Sequence, residues 1–132
     1  MLAPMTTKTI AVVGASADRR KFGNKCVRAF ASAGWTVFPI HPTETEVEGL
    51  PVYRSVADVP AEKLDVVSVY LNPKVGLMAV PTFAAKPVGE VWFNPGAESV
   101  EVLTKAEEVG LHAIPACSIV GYGMSPQTFA DE

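Results

Sequence analysis

VVGASADRRKFGNKCVRAF, residues 12–30, runs from an apolar segment into Gly14, through a charged loop to Gly23, and on into a stretch of helical period. Strand, glycine, loop, glycine and helix follow in that order. Backbone N–H groups and the positive end of a helix dipole then converge on one point, which is the geometry of a diphosphate cradle.

Outward from this stretch, further apolar, β-branched runs alternate with helix-like segments. TIAVVG (9–14), TVFPI (36–40), LDVVSVYL (64–71), VGEVWF (88–93) and LHAIPA (111–116) make five predicted strands. They are continuously apolar more than alternating, as strands are when helices cover both faces of a parallel sheet. The pattern predicts an α/β doubly wound domain. Helices are expected over 24–33, ended by Gly34, over 73–84 with Pro81 late in it, and over 99–109, ended by Gly110, with Ser99 as N-cap. The connection TETEVEGLPVYRSVADVPAEK is rich in turn residues and has room for one short helix near 55–59, so the second crossover is abbreviated.

At 132 residues the chain is the size of one domain, expected to span 1–132, and with 48% apolar and 19% charged residues it can bury a core. Its net charge of −3 and the absence of a basic stripe exclude a nucleic-acid footprint. Cys26 and Cys117 lie far apart with no CxxC or His cluster, so free thiols are expected and no metal site. MLAPMTTK lacks the character of a signal peptide and no run approaches the ~18 apolar residues of a membrane span, so a cytoplasmic protein without membrane contact is expected. Either Met1 or Met5 could be the native start.

The identity of the phosphate ligand is narrowed by what the loop lacks. The dinucleotide fingerprint GxGxxG requires glycine where Ser16 stands, and no GK[ST] triplet supplies a Walker A loop. The second strand ends Phe38-Pro39-Ile40-His41-Pro42, without the acidic residue that binds the ribose in NAD sites, and Glu44 lies too far along to replace it. Together with the Arg19, Arg20, Lys21 cluster, this points to an adenine nucleotide bearing additional phosphate.

Several pieces in order, AVVGAS with Lys21 and Gly23-Asn24, FPIHP, VEGLPVYRSVADVP, LDVVSVYLNP, VWFNPGAES and GLHAIPACSIVGYG, resemble a known family across residues 8–122. They resemble the small stand-alone CoA-binding proteins, whose domain is similar to the N-terminal CoA-binding domain of the succinyl-CoA synthetase α-subunit. The resemblance implies a Rossmann-like three-layer fold with a five-stranded, mostly parallel sheet and coenzyme A as the ligand. It also implies that Gly14, Ala15, Ser16 and the segment Lys21, Phe22, Gly23, Asn24 hold the diphosphate. His41 and Pro42 would border the adenosine, Leu71, Asn72 and Pro73 would form the opposite wall, and Asn94, Pro95 and Gly96 would approach the pantetheine arm. Two departures from the synthetase domain stand out: Thr43 and Glu44 replace a cofactor-binding lysine, and the phosphohistidine domain has no counterpart, so ligase activity does not carry over.

The expected function is therefore binding of CoA or an acyl-CoA without catalysis, with a protein partner or a homo-oligomer compatible with it. The alternatives are an NAD(P)-binding oxidoreductase component, a CoA-linked ligase or transferase subunit completed by a second chain, and a scaffold with a vestigial site. Tyr53, Tyr70 and Trp92 are expected to pack the core or its rim, and Cys26 to be a buried thiol. Cys117 falls near the crevice, with His112 at the far end of its strand. Tyr122 and Phe129 are expected to hold down the C-terminal tail.

Overall fold

The computed structural model describes residues 7–132; the choice between Met1 and Met5 lies outside them. In chain order the elements are β1 (Thr9–Val13), α1 (Phe22–Ser32), β2 (Thr36–Ile40), β3 (Glu46–Val47), β4 (Leu50–Pro51), a 3-10 turn (Val56–Asp58), β5 (Leu64–Val69), α2 (Pro73–Phe83), β6 (Val88–Phe93), α3 (Val100–Glu108), β7 (Ala113–Ile114), α4 (Ser118–Gly121) and a second 3-10 turn (Pro126–Thr128).

Five of the strands form one sheet in the order β2-β1-β5-β6-β7, and every neighbouring pair is parallel. Side chains alternate between its faces as strand geometry requires. Ile10 and Val12 of β1 pack with Cys26, Val27 and Phe30 of α1, while Ala11 and Val13 join the cluster containing Val80 and Phe83 of α2 and Val102 and Ala106 of α3. Apolar cores therefore lie on both sides of the sheet, which explains why its strands read as unbroken apolar runs. This is a Rossmann-like α/β fold. After β1 the chain crosses to β2 on one side, and after β2 it crosses back to β5 on the other. The strand order thus reverses between β1 and β5, and α/β folds carry their ligand crevices at the carboxyl end of such a switch point.

Boundaries differ from the sequence reading where backbone chemistry intervenes. β1 stops at Val13 because Gly14 takes φ +88° and the Gly14 and Ala15 N–H groups both donate to the Ile40 carbonyl, at 3.0 and 3.3 Å. α1 begins at Phe22, two residues before Asn24. The expected 111–116 strand shrinks to the edge pair Ala113–Ile114, since Pro115 has no N–H to give a ladder. The short helix near 55–59 is a 3-10 turn over Val56–Asp58, and the two-stranded antiparallel hairpin β3–β4 was not anticipated. Ser99 caps α3 as expected, its Oγ accepting from Val102 N at 3.1 Å.

Candidate functional site

Gly14 and Gly23 meet at the switch point. A Cβ on Gly14 would lie 2.6 Å from the Tyr70 carbonyl oxygen, and a Cβ on Gly23 would strike the Gly14 carbonyl. Gly23 therefore lets the start of α1 sit against the β1 turn, the service the last glycine of a dinucleotide fingerprint performs at a different spacing. Lys21 is the N-cap of α1, with no side-chain capping bond, and the Phe22 and Gly23 N–H groups have no acceptor among the described residues. Those two donors and the helix dipole are what the cradle offers an anion.

The loop between the glycines is held by its own side chains. Ser16 Oγ accepts from Asp18 N at 3.0 Å. Asn24, fully buried, donates to the Ser16 carbonyl (2.8 Å) and to Glu48 (3.1 Å), and accepts from Arg28 Nε at 2.7 Å. Two of the expected phosphate-binding cations are already paired with carboxylates. Arg19 lies 3.3 Å from Glu48, and Arg20 forks onto Asp18 at 3.0 and 2.9 Å, holding that carboxyl down at about 2. Glu44 folds back so that its carboxylate accepts from Ala17 N at 2.9 Å.

Two open cavities flank this turn and share Leu71 as their common wall. The first, about 340 Å³, is lined by Phe22, Tyr70, Leu71, Asn72, Asn94, Pro95, Gly96, Ala97 and Cys117. The second, about 310 Å³, is lined among others by Gly14, His41, Pro42, Arg54, Ser55, Leu71 and Val75. Gly14, Phe22, His41, Pro42, Leu71, Asn72, Asn94, Pro95 and Gly96 thus border a cavity, whereas Ala15, Ser16, Lys21, Gly23, Asn24 and Pro73 shape the loop and helix starts around them. Asn72 caps α2, its Oδ1 accepting from Val75 N at 3.1 Å, with Pro73 at the first helical position.

Asn94 is 1% exposed and all its amide capacity is occupied. It donates to Ser68 Oγ and the Val69 carbonyl, both at 2.9 Å, and accepts from the Ser118 N–H (2.8 Å) and Oγ (3.1 Å). Its side chain ties β5, β6 and α4 together beneath the first cavity. Cys26 lies in the same buried network, and burial pushes its thiol up to about 11, the state of an inert packing cysteine. Cys117 is partly exposed on the cavity wall; both cysteines are free thiols. Tyr70 borders the crevice with its hydroxyl buried and without a hydrogen-bond partner among the described residues, and Tyr53 packs edge-on against Phe38 at 5.9 Å. Arg54 and Ser55 are cavity residues that the sequence reading did not single out, because only the β3–β4 detour carries them to the end of β2.

No helix among the described residues is long and apolar enough to cross a membrane. Among solved structures, a conserved hypothetical protein from Pyrococcus furiosus is similar, with 36% identity and a TM-score of 0.74 over 84% of this chain and 93% of that one. The dinucleotide forming acetyl-coenzyme A synthetase 1 of Ca. Korarchaeum cryptofilum is also similar, with 29% identity and a TM-score of 0.71 over 83% of this chain and 26% of that one. An ADP-forming acetate–CoA ligase I from Archaeoglobus fulgidus is 29% identical over 121 residues, 83% of this chain and 18% of the ligase. The chain thus spans less than a fifth of that curated relative. The family model for the CoA binding domain matches residues 8–123, and with the switch-point crevice in place the chain belongs to the CoA binding domain family.

Proposed function

We propose that this chain binds coenzyme A or an acyl-CoA across the two cavities, with the diphosphate at the Gly14–Gly23 junction and no catalysis of its own. The observation that carries the reading is the pair of cavities meeting at Leu71 beside the free Phe22 and Gly23 N–H groups. An elongated ligand with a charged middle fits that arrangement. The adenosine would lie against His41 and Pro42, and the pantetheine arm along Phe22, Leu71 and the Asn94–Gly96 turn. Asn94 would contribute shape there, since its amide is engaged inside the fold. Binding would be the whole of its action, coupled to a partner protein or to a second copy.

A second reading has a specific observation behind it. Two similar proteins, named as an acetate–CoA ligase and an acetyl-coenzyme A synthetase, are several times longer than the matched segment, so this chain could act as the CoA-holding part of a two-chain ligase. An NAD-dependent oxidoreductase is less well supported, because Glu44 turns onto the phosphate loop and leaves the end of β2 without an acidic ribose acceptor. Calorimetric titration of the reduced protein with CoA, NAD and ATP at one fixed salt concentration tests the proposal. CoA should bind at least tenfold more tightly than either; equal or tighter binding of NAD would overturn it.

A further inference from the structure

The second cavity has an electrostatic asymmetry. Among its lining residues Arg54 is the one formal charge, and the first cavity contains none. Arg54 is also free of carboxylates: the ion pairs among the described residues are Arg19–Glu48, Arg20–Asp18 and Lys25–Asp131. It is held instead by two backbone carbonyls, its Nη1 donating to His41 O at 2.8 Å and Glu44 O at 2.6 Å. Those bonds fix the guanidinium at the end of β2 while leaving its net charge uncompensated and its other N–H donors unassigned. Beside it, His41 Nδ1 accepts from the Thr43 and Glu44 N–H groups at 3.1 and 3.0 Å, which assigns the ring proton to Nε2 and makes that atom a donor.

A positioned, unpaired arginine next to an imidazole donor suits a phosphomonoester, a dianion near neutral pH with three acceptor oxygens. The end of β2 is where such α/β folds hold the adenosine ribose, and an arginine there is suited to a ribose phosphate. We infer that Arg54, with His41 beside it, reads the phosphate on the ribose of the bound adenine nucleotide, in CoA its 3′-phosphate. The inference rests on the proposed function for the ligand's orientation. It accounts for how a chain with Thr43 and Glu44 after β2 can still recognise that phosphate: the cation arrives from the segment that follows β4 instead of from the residues directly after β2.

The test is a comparison of ratios. CoA and dephospho-CoA, then NADP and NAD, are titrated into the wild type, Arg54→Met and Arg54→Lys, with thermal melts to verify folding. Wild type should prefer CoA over dephospho-CoA by about tenfold or more, the scale of a hydrogen bond to a charged group. Arg54→Met should bring that ratio to near one while leaving dephospho-CoA affinity within about twofold, and Arg54→Lys should retain part of it. A preference for NADP over NAD that collapses in the same variant would keep Arg54 as the ribose-phosphate reader and change the ligand. A wild-type ratio near one, a ratio that survives in Arg54→Met, or equal loss of both CoA forms in that variant would overturn the role of Arg54. CoA binding with no discrimination leaves the proposed function standing, whereas failure of every ligand to bind removes both.

Discussion

At the residue scale, the glycines at positions 14 and 23 have to be separated from the side chains around them. Gly23 has ordinary helical geometry, yet its α-hydrogen faces the Gly14 carbonyl, so even a methyl group must push α1 off the β1 turn. Gly23→Ala is expected to destabilise the fold by about 1–3 kcal/mol, the usual cost of overpacking, and to weaken CoA binding with it. Chemical denaturation of the variant checks the first half, and unchanged stability would mean that the turn yields without cost. Glu44 invites the opposite manipulation. Its carboxylate is an anion on the loop expected to receive an anionic ligand, and Glu44→Gln keeps an acceptor for Ala17 N while removing the charge. CoA should bind several-fold more tightly to Glu44→Gln, most visibly at low salt where the repulsion is least screened; titration calorimetry at two salt concentrations checks this. For Asn94, whose amide joins three elements, replacement by Ala leaves Ser68 and Ser118 short of partners. A loss of about 2–3 kcal/mol is expected by urea unfolding.

At the scale of elements, α4 and the tail are fastened to the sheet and to α1 by aromatic packing and a few charges. Tyr122 meets Phe30, Trp35 and Trp92 with ring centroids 5.7, 5.1 and 5.7 Å away, and its hydroxyl donates to Glu90 at 2.6 Å. Arg28 donates to the Ala130 carbonyl at 2.7 Å beside Phe129, and Lys25 bonds Asp131 at 2.6 Å, so Phe129 and these two cations of α1 hold the tail, while Tyr122 pins the end of α4 from which it leaves. The Tyr122 hydroxyl first, then the Trp92 N–H, hold the Glu90 carboxyl below its ordinary value of 4.5. A depressed carboxylate stabilises the fold above its unfolded-state value and loses that contribution as the pH falls through the folded-state value. Below about pH 4.5 the melting temperature of the wild type should therefore drop more steeply than that of Glu90→Gln. Parallel slopes would show that the latch contributes nothing to acid sensitivity. The elements themselves were legible to different degrees. β1, the loop and α1 could be read from adjacent residues because the turn and the helix start are local. Hairpin β3–β4 could not, since its two-residue strands carry no periodicity, and β7 was overdrawn because an apolar run does not reveal that Pro115 ends its pairing.

For the whole molecule, the sheet order places the crevice, and the strands' apolar runs foretold that order's class if not its exact edges. Most of the expected site residues did converge there, because the carboxyl ends of β1, β2, β5 and β6 are neighbours in any sheet wound this way. Arg54 escaped notice for a physical reason: its position depends on a detour that crosses back over the end of β2, a long-range contact with no local signature. Ligand binding to the folded state alone must also raise global stability. At a CoA concentration of 100 times Kd the gain is about 2.7 kcal/mol, expected as a rise in melting temperature of roughly 10 °C for a chain of this size. The central claim, that CoA occupies the switch-point crevice, is tested most directly by amide chemical-shift mapping of the labelled protein on titration with CoA. The account predicts the largest shifts at Gly14, Phe22, Gly23, His41, Leu71 and Gly96, with the opposite ends of the strands, at Thr9, Leu64 and Val88, undisturbed. Saturable shifts clustered at those opposite ends, or none at ligand concentrations in the millimolar range, would contradict it.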